Sequence, residues 1–233
     1  MNCFFCPVLP GPTDLVTVDA AEARHAATAR RQKTGERVLL IDGRGGRAEA
    51  IIVAMDRSAM ELRIESVGRI VRPRPEIVLA TAVAKGDRQS TLLDMATQLG
   101  IAEYVPLLCE RGVVKPDAHK VPRWRRICTQ ACKQSHNPYL PEIGTAISPL
   151  GFALAMNDAG TPLYLAVLGG ELAPREPGDE RVAVCIGPEG GFSRREVSDL
   201  IGLGARPLSL GPDILRIETA AVAAVSILGA QRG

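Results

Sequence analysis

Two glycine-rich segments near the end of the chain have the composition of ligand-binding loops. The first, GPEGG at 187–191, follows the apolar run 182–186, and the second, GPD at 211–213, follows the apolar run 207–210. Glycine allows main-chain N–H and C=O groups to approach a ligand that a Cβ would push away. The two segments therefore predict a binding site made largely of main-chain atoms, in which Gly190 and Gly191 tolerate no side chain because of ligand space or positive φ.

The charge of the first loop restricts the ligand. No Lys-Ser or Lys-Thr pair follows its glycines, which argues against a phosphate-binding P-loop. Glu189 would also repel a phosphate, by about 1 kcal/mol in water and about 4 kcal/mol at an effective dielectric of about 20, for charges ~4 Å apart. A ligand that is neutral or cationic at this point fits better, and the alternative is a structural turn with a solvated Glu189.

Each of these loops is expected to join a strand to a helix. Ser193 and Glu196 have the spacing of a capping box at the start of one helix, and the alanine-rich run 218–228 predicts the other. Two such units side by side in a parallel sheet place both loops at the carboxyl edge, where open α/β sheets bind ligands.

A predicted βαβ unit upstream adds charged loops to the same edge. It consists of a strand at 76–84, a helix at 89–99 that ends at Gly100, and a strand at 103–108, and a further strand is predicted at 162–168. The charged residues in the two loops of the unit are Lys85, Asp87, Arg88, Glu110, Arg111 and Lys115. Convergence of these loops on one edge predicts an active site, whereas solvation of loop ends is the alternative.

Residues 13–71 predict a small β-rich domain that opens with a helix at 19–31. Strands are expected at 38–41, 48–55 and 61–70, and GRGG at 43–46 is expected to be a hairpin turn, since a strand rather than a helix follows it. Its arginines form either an RNA-facing patch or a solvated surface: Arg24, Arg30, Arg31, Arg44 and Arg47. Arg-Pro-Arg-Pro at 72–75 predicts an extended linker.

A helix at 122–135 is expected to have one apolar and one basic face. The apolar face consists of Trp124, Ile127, Cys128 and Ala131, and the basic residues Arg123, Arg125, Arg126 and Lys133 lie largely off it. The basic face is a candidate for phosphate contacts.

Composition excludes several classes of protein. The 233 residues contain 28 Lys and Arg against 26 Asp and Glu, so a nucleic-acid surface must be local. No apolar run is long enough to span a bilayer, and the N-terminus lacks the charged region of a signal peptide, which predicts a soluble cytoplasmic protein without a membrane partner.

Six cysteines raise the question of a zinc site, with Cys3, Cys6, Cys128 and Cys132 as the conceivable ligands. Because these two pairs fall in different predicted domains, reduced structural cysteines are the favoured interpretation and no metal is expected. Cys109 and Cys185 fall in predicted strands and are expected to be small core residues.

The chain resembles a known family along nearly its whole length. IGPEGGFSRREV and LGPDILRIETAAVAAV are similar to the paired C-terminal signatures of the ribosomal RNA small subunit methyltransferase E family, a SPOUT-class family. The resemblance continues upstream through Lys85-Gly86-Asp87-Arg88, Leu99-Gly100, Arg111, Val113-Val114-Lys115, Arg123-Trp124 and Gln134-Ser135, and into the N-terminal domain through His25, Arg30 and residues 38–43.

This resemblance implies a PUA-like RNA-binding β-barrel domain at 1–72 and an α/β SPOUT domain with a trefoil knot at 73–233. It implies a homodimer that uses S-adenosylmethionine to methylate N3 of a uridine in small-subunit (16S) ribosomal RNA, as naked RNA or in the small ribosomal subunit. Arg216, Glu189 and Glu218 are the implied catalytic residues. The implied cofactor-binding residues are Leu168, Gly187, Gly190, Gly191, Leu208, Leu210, Gly211, Ile214 and Leu215. The implied RNA-binding residues are Arg24, Arg30, Arg31, Lys85, Arg88, Arg111, Lys115 and Arg123.

Four positions depart from the family pattern on the substrate side: Gln98, Asn137, Asp213 and Ile217. Two other functions therefore stay open: an RNA-binding protein of the same fold with an altered target or lost catalysis, and a small-molecule or nucleotide-binding α/β protein.

Overall fold

The computed structural model describes residues 1–18, 32–56, 59–171 and 180–230. The chain divides into two compact units. The first contains Met1–Arg72 and Thr129–Leu140, and the second contains Pro73–Cys128 and Pro141–Gly233. The helix predicted at 19–31 lies outside the described residues, and so do Arg24, Arg30 and Arg31. The predicted order of a β-rich module followed by an α/β module is confirmed.

The first unit contains a five-stranded sheet in the order β1-β3-β4-β5-β2. Its strands are β1 (Asn2–Phe5), β2 (Leu15–Val18), β3 (Arg37–Ile41), β4 (Gly46–Met55) and β5 (Met60–Arg69). The last three were expected, whereas the two short strands were not. β1 runs parallel to β3 at the sheet edge, so its pairing depends on a partner distant in sequence.

The turn between β3 and β4 is the predicted hairpin. The carboxylate of Asp42 accepts hydrogen bonds from the main-chain N–H groups of Arg44 (2.7 Å) and Gly46 (2.8 Å). Gly43 and Gly45 have φ angles of 78° and 97°, which L-residues with a Cβ rarely adopt. The glycines therefore serve a tight turn and not a dinucleotide site.

The cysteine pairs do not separate as expected. Cys132 belongs to the first unit and packs in one apolar cluster with Cys3, Leu39 and Ile41, whereas Cys128 falls in the second unit. The assignment of the pairs to different domains is therefore correct for Cys128 but wrong for Cys132, because the end of the helix at 121–135 belongs with the first unit. In the described parts of the chain, no three or more His, Cys, Asp or Glu side chains are grouped to hold a metal ion.

The second unit contains a six-stranded parallel sheet in the order β11-β9-β10-β6-β7-β8. Its strands are β6 (Glu76–Ala82), β7 (Glu103–Leu107), β8 (Glu142–Ile143), β9 (Leu163–Glu171), β10 (Arg181–Ile186) and β11 (Arg206–Leu208). The two strands that precede the glycine segments are not neighbours, because β9 lies between them. The loops nevertheless share the carboxyl edge, since all the strands are parallel.

Five α-helices occur in the described residues: α1 (Arg88–Gln98), α2 (Val121–Ser135), α3 (Pro149–Asp158), α4 (Arg194–Gly202) and α5 (Ile217–Gly229). Gly100 follows α1 with a φ of 78°, as a helix-terminating glycine should. The predicted apolar face of α2 is confirmed for Trp124, Cys128 and Ala131, which are all buried. Lys133 is also buried, with its ammonium 5.9 Å from the centre of the Phe4 ring, so its assignment to an exposed basic face is wrong.

Cys185 is fully buried in β10 as expected, but Cys109 lies beyond the end of β7 and is only half-buried. No helix in the described parts of the chain is long and apolar enough to cross a membrane.

Candidate functional site

A cavity of about 420 Å³ lies at the carboxyl edge of the parallel sheet, between the two glycine segments. It is within the size range of small-molecule sites. Eight of the nine predicted cofactor-binding residues line it: Leu168, Gly187, Gly190, Gly191, Leu210, Gly211, Ile214 and Leu215. The charged side chains that line it within the described residues are Glu189 and Asp213, which are both acidic. The cavity therefore offers apolar walls, main-chain groups and negative charge.

Leu208 is the predicted cofactor residue that does not line the cavity. Its side chain is completely buried in the core at the end of β11. The main chain here lies unusually close to β9, since a Cβ on Gly170 would stand 2.8 Å from the carbonyl carbon of Leu208. The buried Leu208 therefore anchors the strand that precedes the second glycine segment. Because Gly170 has no Cβ, the main chains of β9 and β11 can lie this close together.

The first glycine loop is a tight turn closed by its own main chain. The N–H of Gly191 donates a 2.7 Å hydrogen bond to the carbonyl of Pro188, and Gly191 has a φ of 67°. A Cβ on Gly187 would lie 3.0 Å from Phe192. Gly190 differs, because its φ is not positive and a Cβ there would meet only Arg111, at 3.8 Å. Its predicted intolerance of a side chain can therefore rest on ligand space alone.

The capping box at the start of α4 is confirmed and extends beyond the helix. Ser193 and Glu196 exchange the two expected hydrogen bonds, at 3.1 Å and 2.7 Å. The other oxygen of the buried Glu196 carboxylate accepts a 2.8 Å hydrogen bond from the N–H of Glu110, in the loop after β7. Sequence spacing revealed the cap but not this second bond, because its partner lies in a different βα unit.

Arg111 contacts the glycine loop directly. Its guanidinium donates to the carbonyl oxygens of Gly190 (3.0 Å) and Phe192 (3.4 Å). The sequence assigned Arg111 to RNA, but within the described residues its hydrogen bonds hold the main chain that lines the cavity.

Arg88, a predicted RNA contact, lies beside the two implied catalytic carboxylates, Glu189 and Glu218. The guanidinium of Arg88 lies 3.8 Å from the carboxylate of Glu189 and 3.8 Å from that of Glu218. The Glu218 side chain is only 15% exposed, whereas Arg88 and Glu189 are each 43% exposed. One cation therefore lies between two carboxylates that the family resemblance implies to be catalytic.

The loop that leads to Arg88 is fixed by a buried polar network. Gln89 accepts a hydrogen bond from the N–H of Ala84 (2.9 Å) and donates one to the hydroxyl of Tyr104 (2.9 Å). The Tyr104 hydroxyl lies 3.3 Å from Thr81, whose own hydroxyl donates to the carbonyl of Ala82. Burial raises the pKa of Tyr104 to about 12, so the phenol stays protonated and donates. This network anchors the loop at 84–88 to the core.

Arg216 is the N-cap residue of α5, and its carbonyl accepts a 2.8 Å hydrogen bond from Ala220. Its side chain is exposed and forms no ion pair or hydrogen bond with the described residues. A cation near a helix N-terminus is unfavourable to the helix dipole, and Glu218 in the first turn is favourable. The guanidinium is thus available for an external anion.

Three further predicted RNA-binding residues lie in the described part of the chain: Lys85, Lys115 and Arg123. Lys85 and Lys115 are exposed in their loops. Arg123 at the start of α2 lies 3.8 Å from Asp87, in the same loop as Lys85.

Cys109 offers no nucleophile at this edge of the sheet. Burial, with a smaller effect from Glu196, raises the pKa of its thiol to about 12, so the thiolate is scarce at neutral pH.

The four departures from the family pattern have local explanations. Gln98 donates to Asp94 along α1 at 2.9 Å, and Asn137 accepts a 3.0 Å hydrogen bond from the N–H of Tyr139 in a turn. Ile217 is buried at the start of α5, and Asp213 lines the cavity. Of these four residues, Asp213 is the one that lines the cavity among the described residues.

Comparison with known proteins agrees with this geometry. A family model for an RNA methyltransferase domain matches residues 72–229, and one for an RNA methyltransferase PUA domain matches residues 18–65. Ribosomal RNA small subunit methyltransferase E of Synechocystis sp. is 30% identical to the chain over 224 residues, which cover 92% of the chain and 73% of that relative. The chain belongs to the ribosomal RNA small subunit methyltransferase E family.

Another member of the family and two solved structures are similar to the chain over nearly its whole length. The Mycobacterium bovis methyltransferase E is 28% identical over 238 residues, covering 97% of the chain and 90% of the relative. A methyltransferase from Legionella pneumophila was solved with the bound cofactor SAM. It is 32% identical to this chain with a TM-score of 0.87, and the match covers 98% of this chain and 96% of the Legionella chain. The Neisseria gonorrhoeae methyltransferase E structure is 24% identical with a TM-score of 0.89. The match covers 99% of this chain and 97% of the Neisseria chain and shows the shared fold.

Proposed function

We propose that the chain transfers a methyl group from S-adenosylmethionine to N3 of a uridine in small-subunit ribosomal RNA. The observation that carries this proposal is the cavity between the two glycine segments, in a chain of the methyltransferase E family. Relatives of the family are ribosomal RNA small subunit methyltransferases by name, and the Legionella relative binds SAM.

The residues present fit this cofactor. A volume of about 420 Å³ suits a folded nucleoside with an amino-acid tail, and the apolar walls suit its adenine. Main-chain groups of the glycine loop can hydrogen-bond its polar edges. The acidic Glu189 and Asp213 at the wall match a ligand with a positive sulfonium, and they would oppose a nucleotide phosphate. This charge disfavours the nucleotide-binding alternative.

S-adenosylmethionine supplies a methyl group already activated on sulfonium sulfur. The protein must then align the uridine N3 with that carbon and receive the N3 proton. Glu189 and Glu218 are the proposed proton acceptors, since both lie beside the cavity and share Arg88. Arg216 is proposed to stabilise negative charge on the uracil oxygens or to bind the phosphate of the flipped nucleotide.

The proposal extends to the partners and the organisation of the chain. Lys85, Lys115 and Arg123 are proposed to contact RNA phosphates, with the arginines of the N-terminal unit. The family resemblance also supports the proposal of domains at 1–72 and 73–233 and of a trefoil knot around the glycine segments. It further supports a homodimer that acts in the cytoplasm.

Light scattering after gel filtration tests the dimer, and a mass of about 25 kDa would contradict it, because one chain has a mass of 24.8 kDa.

The deciding experiment combines the protein with labelled S-adenosylmethionine and unmodified small-subunit RNA or assembled subunits. Nucleoside mass spectrometry of the RNA is expected to detect N3-methyluridine. RNA binding and cofactor binding without any methylated nucleoside would identify an RNA-binding protein that has lost catalysis. No cofactor binding at all would refute the proposed function.

A further inference from the structure

We infer that Arg111 is a positioning residue for the glycine loop, where its guanidinium fixes the main chain that receives the cofactor. The inference rests on the proposed function, because the loop matters only if the cavity holds a ligand. It replaces the predicted role of Arg111 as an RNA contact.

The first observation is the geometry of the side chain. One terminal nitrogen of the guanidinium donates to two carbonyl oxygens, those of Gly190 at 3.0 Å and Phe192 at 3.4 Å. These carbonyls flank Gly191, the residue with positive φ that closes the turn. A charged donor that holds both carbonyls therefore restrains the turn at its most demanding residue, because hydrogen bonds to charged donors are stronger than neutral ones.

A second observation comes from the neighbouring residue. The N–H of Glu110 donates a 2.8 Å hydrogen bond to the buried carboxylate of Glu196, which also holds the N–H of Ser193 at 2.7 Å. The dipeptide 110–111 is thus tied to both ends of the segment 190–196. Its side chain donates at one end and its main chain donates at the other, so the loop after β7 and the loop after β10 form one unit.

A third observation is that the aliphatic part of the Arg111 side chain lies beside Gly190. A Cβ on Gly190 would lie 3.8 Å from Cδ and 3.9 Å from Cβ of Arg111. The arginine stem therefore lies over the glycine, and the loop is covered on this side by Arg111. Gly190 also lines the cavity.

The test compares Arg111→Ala and Arg111→Lys with two control variants. Arg195→Ala removes an exposed charge near the same loop, where the arginine pairs only along α4 with Asp199 in the described residues. Lys115→Ala removes a proposed RNA contact. Three readouts apply to each protein: amide hydrogen exchange of the peptide that covers 187–193, S-adenosylmethionine affinity by calorimetry, and the salt dependence of RNA affinity.

In Arg111→Ala we expect exchange in this peptide to rise by about tenfold and cofactor affinity to fall by about tenfold, which corresponds to about 1.4 kcal/mol. Lysine is one bond shorter but keeps a charged donor, so it should restore part of both effects. Arg195→Ala should change neither exchange nor cofactor affinity, and Lys115→Ala should only flatten the salt dependence of RNA binding.

The possible failures are distinguishable. If the wild-type protein binds no S-adenosylmethionine, the proposed function is refuted, while increased exchange in Arg111→Ala still supports the positioning role. If exchange and cofactor affinity are both unchanged in Arg111→Ala, the inference is overturned. A flattened RNA salt slope with unchanged exchange would return Arg111 to the RNA surface and also overturn it.

Discussion

The guanidinium of Arg88 at the start of α1 lies 3.8 Å from the carboxylate of Glu218 in the first turn of α5. The same guanidinium lies 3.8 Å from Glu189 in the first glycine loop. One arginine therefore connects three βα loops of the parallel sheet. Because partly exposed ion pairs are worth about 0–1 kcal/mol, this contact orients carboxylates more than it stabilises the fold.

Arg88→Gln tests that orientation. We expect methyl transfer to slow by about tenfold, since Glu189 and Glu218 lose their common partner, which raises the barrier by about 1.4 kcal/mol. The melting temperature should change by no more than about 4 °C, as a loss of 1 kcal/mol predicts for a domain of this size. Initial rates and calorimetry measure the two effects. Normal turnover would make the two contacts incidental.

Arg216→Ala separates chemistry from architecture. Its side chain has no partner among the described residues, so melting temperature and cofactor affinity should stay near the wild-type values. Turnover should fall by at least about tenfold, or about 1.4 kcal/mol of barrier. Arg216→Lys should recover only part of the rate, because lysine lacks the planar fork. A variant that unfolds, or one that turns over normally, would contradict the catalytic assignment.

The glycine loop provides a matched pair of substitutions. Gly191→Ala must hold a Cβ at a φ of 67°, which costs about 1–2 kcal/mol, whereas Gly190→Ala meets only an ordinary contact with Arg111. We expect Gly191→Ala to lower both stability and cofactor affinity. Gly190→Ala should keep the melting temperature, and calorimetry then reports whether ligand space is lost. Equal melting temperatures in the two variants would show that the loop relaxes without strain.

Cys109 should react with iodoacetamide very slowly at neutral pH. Only the thiolate reacts, and a pKa of about 12 leaves the thiolate scarce until strongly alkaline pH. The rate should rise about tenfold per pH unit from pH 7 to 10, because the thiolate fraction rises in that proportion below the pKa. Peptide mass spectrometry follows the residue. A plateau near pH 9 would indicate an ordinary, solvated thiol.

Tyr104→Phe tests the buried network beneath the loop at 84–88. It removes the hydroxyl that accepts from Gln89 and leaves that amide N–H buried without its partner, at a cost of about 1–3 kcal/mol. Urea unfolding should detect this loss. The double variant Tyr104→Phe with Gln89→Leu should lose less than the sum, since the stranded amide is then absent. Strict additivity would contradict the network.

Much of the fold could be read from short-range patterns. The capping box at Ser193 and Glu196, the helix end at Gly100 and the hairpin at 43–46 were predicted because their hydrogen bonds join residues a few positions apart. The parallel strands also predicted that both glycine segments and the two charged loops lie at one edge of the sheet. The individual residues of the cavity wall were predicted from the family resemblance.

Contacts between distant segments were not accessible in this way. Nothing in the spacing of residues placed β9 between β10 and β11, paired β1 with β3, or put Cys132 beside Cys3. The burial of Leu208 and Lys133 was not predicted for the same reason: it depends on neighbours from other elements.

The sequence by itself determined the glycine loops, the strands and helices around them and the acidic character of the cavity, because each depends on residue type and local backbone preference. Only the tertiary structure decided which side chains act on which loop. Arg88 and Arg111 were predicted as RNA contacts and Glu196 as part of a helix cap, yet each also contacts a segment from another part of the chain. A side chain's partner is set by the packing of whole elements, which local periodicity does not encode.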